Sequence, residues 1–216
     1  MNTSPSLNKK DIVSVLMMVF CLLMIRLFPE ENYFQKIIIS VTFLLAIPAL
    51  YIKIVLKESL KNFGLKLGNW RQGIAWTLIS FAILALISYL IYNYTNFVEK
   101  YYLPQKVIES FKLFAFYEIA IVGFFIALYE FFFRGFIMFS FSEKLGYWAV
   151  ISQFALFILF LIIMKDFNWT FAPYLISAFF AGVIAYKSRS LFYSYLFSLL
   201  FVIISDAVYI YSLINS

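Results

Sequence analysis

Two ionisable residues stand inside an apolar, aromatic stretch of this chain, residues 126–139, IALYEFFFRGFIMF. They are Glu130 and Arg134, spaced so that a helix puts both on one face. At the centre of a transmembrane helix each charge alone costs roughly 2.5–3.5 kcal/mol. The pair must therefore face other helices or water, and it marks the inside of the molecule. The same face runs back to Ala127 and Gly123, small residues that let neighbouring helices approach closely. Two chemistries fit. One is a structural ion pair that fixes helix packing. The other is a catalytic site, working or remnant, with Glu130 as the base.

Other polar residues fall at related depths. At about 1.5 Å rise per residue, Ser198 lies level with Glu130, and Ser152 and Gln153 lie slightly shallower. These residues, with Gly123 and Ala127, are expected to line a polar cavity around Glu130 and Arg134 that opens to the cytoplasm. Asp206 lies about 12 Å further out, near the level of Glu118. Two buried carboxylates at one level need a proton or a cation between them. The chain has no histidine and one cysteine, Cys21. The commonest general base and zinc ligand are thus missing, and no intrachain disulfide can form. No metal site and no cofactor are expected, because the acids are scattered and no glycine-rich phosphate loop occurs.

The elements that position these residues are apolar spans. Of 216 residues, 64% are hydrophobic, 22% aromatic and 13% charged, far from the roughly 25% charge of soluble domains. The expected fold is all-α, a polytopic helical membrane protein with about seven transmembrane helices, or eight if one span is split. The chain reads as one membrane domain over residues 1–216. The spans are about 12–28, 33–55 (with a kink at Pro48), 74–94, 113–139, 147–164, 170–186 and 191–213. Pro29-Glu30-Glu31 and Lys165-Asp166-Phe167-Asn168 read as tight loops. Residues 58–72 read either as a basic segment at the headgroup level or as a plain loop. A short helix is expected after Pro104, with Lys106 and Glu109 paired. With the N-terminus inside, eleven of the 17 basic residues fall on the cytoplasmic side, as the positive-inside rule requires. The net charge of +6 then reflects flanking lysines and arginines, and no nucleic acid is expected as a partner.

Glu130-Phe131-Phe132-Phe133-Arg134-Gly135 resembles the first motif of the CPBP intramembrane proteases, the CAAX-protease and bacteriocin-processing (Abi) family. That motif is two glutamates, three residues, then arginine and usually glycine. Phe63-Gly64-Leu65-Lys66 with Trp70 and Gly73 is similar to the family's lead-in segment. Residues 175–198, with Gly182, Ser190 and Leu191, look like the approach to its last histidine motif. The resemblance spans about residues 60–210 and implies a CPBP-like bundle. In its terms Tyr129 takes the place of the first glutamate, the water-activating base. Phe160 and Ser198 fall where the two histidines would stand, with Val202 beside the second.

A tyrosine with its ordinary pKa near 10 is a poor base at neutral pH, and a phenylalanine offers no hydrogen bond to an oxyanion. The resemblance therefore implies a degenerate, non-catalytic member in a bacterial cytoplasmic membrane. Such a pseudoprotease would bind or scaffold another integral membrane protein or a peptide, as in bacteriocin immunity. Two further functions stand beside it. One is a divergent intramembrane endopeptidase using Glu130, with Tyr129, Ser198 or Gln153 as donors. The other is a small transporter or channel subunit using Glu118, Glu130 and Asp206.

Overall fold

The structure is a computed structural model that describes residues 8–28, 32–95, 97, 101–164 and 169–214. The loops expected at 29–31 and 165–168 lie outside the described residues. Among those described, the chain is all-helical, with no strand.

Side-chain caps start four of the helices. Asn8 caps α1, Lys9–Leu27, in a reciprocal capping box with Asp11. Asn32 caps α2, Tyr33–Leu56, and Asn69 caps α3, Trp70–Tyr94. In each case a carboxamide oxygen accepts an N–H that the first helical turn leaves free. A short α4, Gln105–Glu109, follows Pro104 as expected, but Glu109 pairs with Gln105 at 2.9 Å instead of with Lys106. Ser110 caps α5, Phe111–Leu145. Then come α6, Trp148–Met164, α7, Ala172–Ser188, and α8, Leu191–Ile214.

Each of the seven expected apolar spans is a helix. Four of them, α2, α3, α5 and α8, are long and apolar enough to cross a membrane. α6 and α7 have 17 residues each, and α1 carries Lys9, Lys10, Asp11 and Arg26 within its 19 residues. Exposed aliphatic side chains such as Leu78, Leu86, Leu200 and Ile204 cover the outer faces of α3 and α8, the surface that a lipid solvent favours.

α5 is the axis of the bundle. From Glu130 to Met138 its backbone widens into a π-helix, and all nine residues are buried. Phe132, Phe133 and Phe136 are fully enclosed within a core shared with α1, α2, α6 and α7. Similar widened turns lie on both sides of Pro48 in α2, where the imide has no N–H to give. α7 separates this core from a smaller one that holds Leu84, Phe197 and Phe201. Its small residues Ala178, Ala181, Gly182 and Ala185 allow close contact on either side.

Residues 58–69 are docked against the bundle around a short 3-10 turn, Leu60–Phe63. Phe63 is buried, and two backbone hydrogen bonds hold the segment to the α7–α8 turn. The Asn69 N–H donates to the Ser188 carbonyl (2.8 Å), and the Leu191 N–H donates to the Gly64 carbonyl (2.9 Å). Gly64 and Gly68 make the docking possible. Both have positive φ, and a Cβ on Gly68 would sit 2.1 Å from the Ser188 carbonyl oxygen.

Candidate functional site

The widened segment of α5 delivers Glu130 and Arg134 to one place. Arg134 Nη1 lies 3.0 Å from Glu130 Oε1, with both side chains buried. From α8, Ser194 donates to Glu130 Oε2 at 2.7 Å and Ser198 donates to Oε1 at 3.0 Å. Arg134 Nη2 donates in turn to the Ala178 carbonyl of α7 at 2.8 Å. The pair thus ties three helices together, and each oxygen of Glu130 is engaged. Such charge-assisted bonds are the strong kind; they satisfy both oxygens of the buried carboxylate, while Arg134 Nε has no partner among the described residues.

Tyr129, one residue earlier, points into an aromatic cluster. Its ring lies 6.2 Å from that of Phe160 and 6.0 Å from that of Phe157, and Phe133 completes the group. Residues that the resemblance placed at motif positions, Tyr129, Glu130, Arg134, Phe160 and Ser198, therefore gather at one level of α5, α6 and α8.

Among the described residues, those expected to line one polar cavity are spread over several places. Ser152 is exposed and lines an apolar groove between α1, α5 and α6, beside Met18 and Ile137. Helical spacing sends it one position off the inward face that Gln153 occupies. Gln153 is buried against Gly182, and its amide nitrogen has no hydrogen-bond partner. Gly123 lets α5 approach Tyr195 and Leu199 of α8. Ala127 and Glu130 instead border an apolar cleft of about 440 Å³, walled by Leu65, Leu67, Phe131, Leu191, Phe192 and Tyr195. Ser194 was missed from sequence, although it stands one helical turn before Ser198 on the same face.

The second acidic level is also assembled. Asp206 Oδ1 accepts from Tyr101 (2.7 Å) and Tyr174 (2.8 Å), and these two hydroxyl oxygens lie 2.7 Å apart. Glu118 is fully buried and faces Asp206. Tyr101 lies between α3 and α4, and nothing in its local sequence signals a buried phenol. Tyr209 of α8 holds it in place by donating to its carbonyl at 2.8 Å.

Compared with known proteins, the chain matches no family model, no curated protein and no solved structure.

Proposed function

We propose that this chain is a non-catalytic membrane protein of CPBP-like, seven-span architecture, a pseudoprotease whose cleft beside Glu130 receives an apolar segment of a membrane partner or peptide. The observation that carries this reading is the engagement of Glu130. A carboxylate that accepts from Arg134, Ser194 and Ser198 is committed to holding helices and is poorly placed to take a proton from water. The contact of Tyr129 with Phe160 supports the same reading, since packed rings stand where the resemblance would set a base and an imidazole. The cleft is apolar apart from Lys66 and Glu130 in its wall, which suits an apolar chain more than a polar one. In this reading the N-terminus lies in the cytoplasm of a bacterial cell.

The test uses the purified full chain in lipid nanodiscs with fluorescently labelled, quenched apolar peptides. The expected result is binding without cleavage. Ala127→Trp, which fills the cleft, should weaken binding about tenfold or more, near 1.4 kcal/mol, whereas Leu86→Trp on the outer face of α3 should leave it unchanged. Cleavage by the wild type that is lost in Glu130→Gln would overturn the proposal and favour the endopeptidase reading.

A further inference from the structure

The Glu118–Asp206 level takes no part in that cleft, yet it joins the same two helices. Glu118 belongs to a π-helical stretch of α5, Tyr117–Val122. Asp206 sits on α8, eight residues beyond Ser198. Both carboxyls are buried, at 0% and 2% exposure, and neither oxygen of Glu118 has a donor. Among the described residues, the two ion pairs are Glu130–Arg134 and Asp11–Lys144, so neither acid here is paired with a cation.

The hydroxyls around Asp206 distinguish the two acids. Three oxygens, from Tyr101, Tyr174 and Asp206, lie 2.7–2.8 Å from one another, but the two phenols supply only two protons. Both can be donated to Asp206 Oδ1, which makes Asp206 the better-supported carboxylate. Glu118 receives no such support. Two adjacent anions in an apolar interior are strongly unfavourable, and one added proton removes one charge and bridges the facing acceptors.

We propose that Glu118 and Asp206 form a proton-binding site, in which Glu118 carries an exchangeable proton and donates it to the Asp206 carboxylate. Among the described residues, the other titratable groups that act on Asp206 are phenols: Tyr92 of α3, Tyr101, Tyr117 of α5, Tyr174 of α7 and Tyr209 of α8. With an ordinary pKa near 10, they stay neutral while a carboxyl exchanges its proton. When Glu118 releases its proton, the site keeps both oxygen sets but gains a second negative charge. Repulsion between α5 and α8 at this level then replaces a hydrogen bond.

The site is tested by infrared difference spectroscopy on the full chain in nanodiscs, titrated from acidic to alkaline pH. The expected result is the C=O stretch of one protonated carboxylic acid per chain at neutral pH, unchanged in Glu130→Gln, absent in Glu118→Gln, and, in Asp206→Asn, shifted in frequency and lost at a lower pH than in the wild type. Thermal stability should fall as that band disappears with rising pH. It should not fall in Glu118→Gln, whose amide N–H replaces the bridging proton. No protonated carboxyl at neutral pH, a band that survives in Glu118→Gln, or a band that Asp206→Asn leaves unmoved would overturn the proposal. So would a band that vanishes in sodium and returns in choline at the same pH, since a metal cation would then hold the pair. If Glu118→Gln does not fold, the wild-type titration and Asp206→Asn still decide. Peptide binding in the cleft is a separate measurement, so either proposal can fail alone.

Discussion

Glu130 accepts from three donors, while Arg134 keeps its Nε without a partner inside the bundle. This imbalance sets what each substitution does. Glu130→Ala leaves a guanidinium buried and uncompensated, and is expected to destabilise by about 3–5 kcal/mol. Ser194→Ala removes one bond to a charged acceptor and is expected to cost about 1.5–3 kcal/mol. Replacing both charges together, as in Glu130→Leu with Arg134→Met, should cost less than Glu130→Ala alone, because no charge is stranded. Unfolding in mixed micelles measures all three, and a double variant worse than Glu130→Ala would show that the pair does more than hold helices. At this scale the sequence was informative where charge met oil. The pairing of Glu130 with Arg134, the depth of Ser198 and the common level of Glu118 and Asp206 all follow from helical rise and the cost of burying charge. The partners that depend on which way a helix is rotated, such as Ser152 against Gln153, or that arrive from a connection, such as Tyr101, did not follow.

The segment at 58–69 argues the same point for elements. Its composition suggested a basic connection, but its place is set by backbone groups of Ser188 and Leu191 that are remote in sequence. No periodicity encodes such bonds. The two glycines hint at them only because positive φ and close approach both favour a residue without Cβ. Gly68→Ala should be the worse of two alanine substitutions. Its new Cβ meets a backbone carbonyl, whereas that of Gly64→Ala meets the side chains of Phe139 and Leu191 at 2.6 and 2.8 Å, which can shift. Each also carries about 1–3 kcal/mol of backbone strain. Proteolysis within 58–69 should accelerate in the order wild type, Gly64→Ala, Gly68→Ala. Equal rates would show that the segment is not held by this docking. The widened turns of α5 escaped sequence reading for a related reason: a 3.6-residue pattern has no mark for an extra residue in a turn.

Across the whole molecule, the capped start of α1, the end of α5 and the turns at 58–69 and 188–191 meet at one end. Lys144 pairs with Asp11, and Arg189 donates to Ser142 at 3.0 Å. These contacts surround a polar cleft of about 460 Å³ that includes Lys10, Glu58, Lys66 and Glu143. The hydrogen bond from Lys144 holds the Asp11 carboxyl below its ordinary pKa of 3.8. That contribution to stability is present above the ordinary carboxylate range and is lost as pH falls through Asp11's own lower value. It is small, because Lys144 is one-third exposed. Asp11→Asn should therefore lower thermal stability slightly at neutral pH and flatten the acid limb, so that the variant and wild-type profiles converge at low pH. The side on which this end lies can be read by labelling. With Cys21 replaced by alanine, a cysteine at Lys61 should resist an impermeant maleimide in intact cells, and one at Gln105 should react.

The hydrogen bonds between 64–69 and 188–191 also impose an order on biosynthesis. The early half of the chain leaves the ribosome with the Asn69 N–H and the Gly64 carbonyl lacking their final acceptor and donor. They must wait until the α7–α8 turn has been translated. Insertion of the first helices can proceed one by one, but closure of this end is a late, post-insertion event. A chain cut short before α8 would carry a mark of incompleteness on its own surface, open to a membrane quality-control protease.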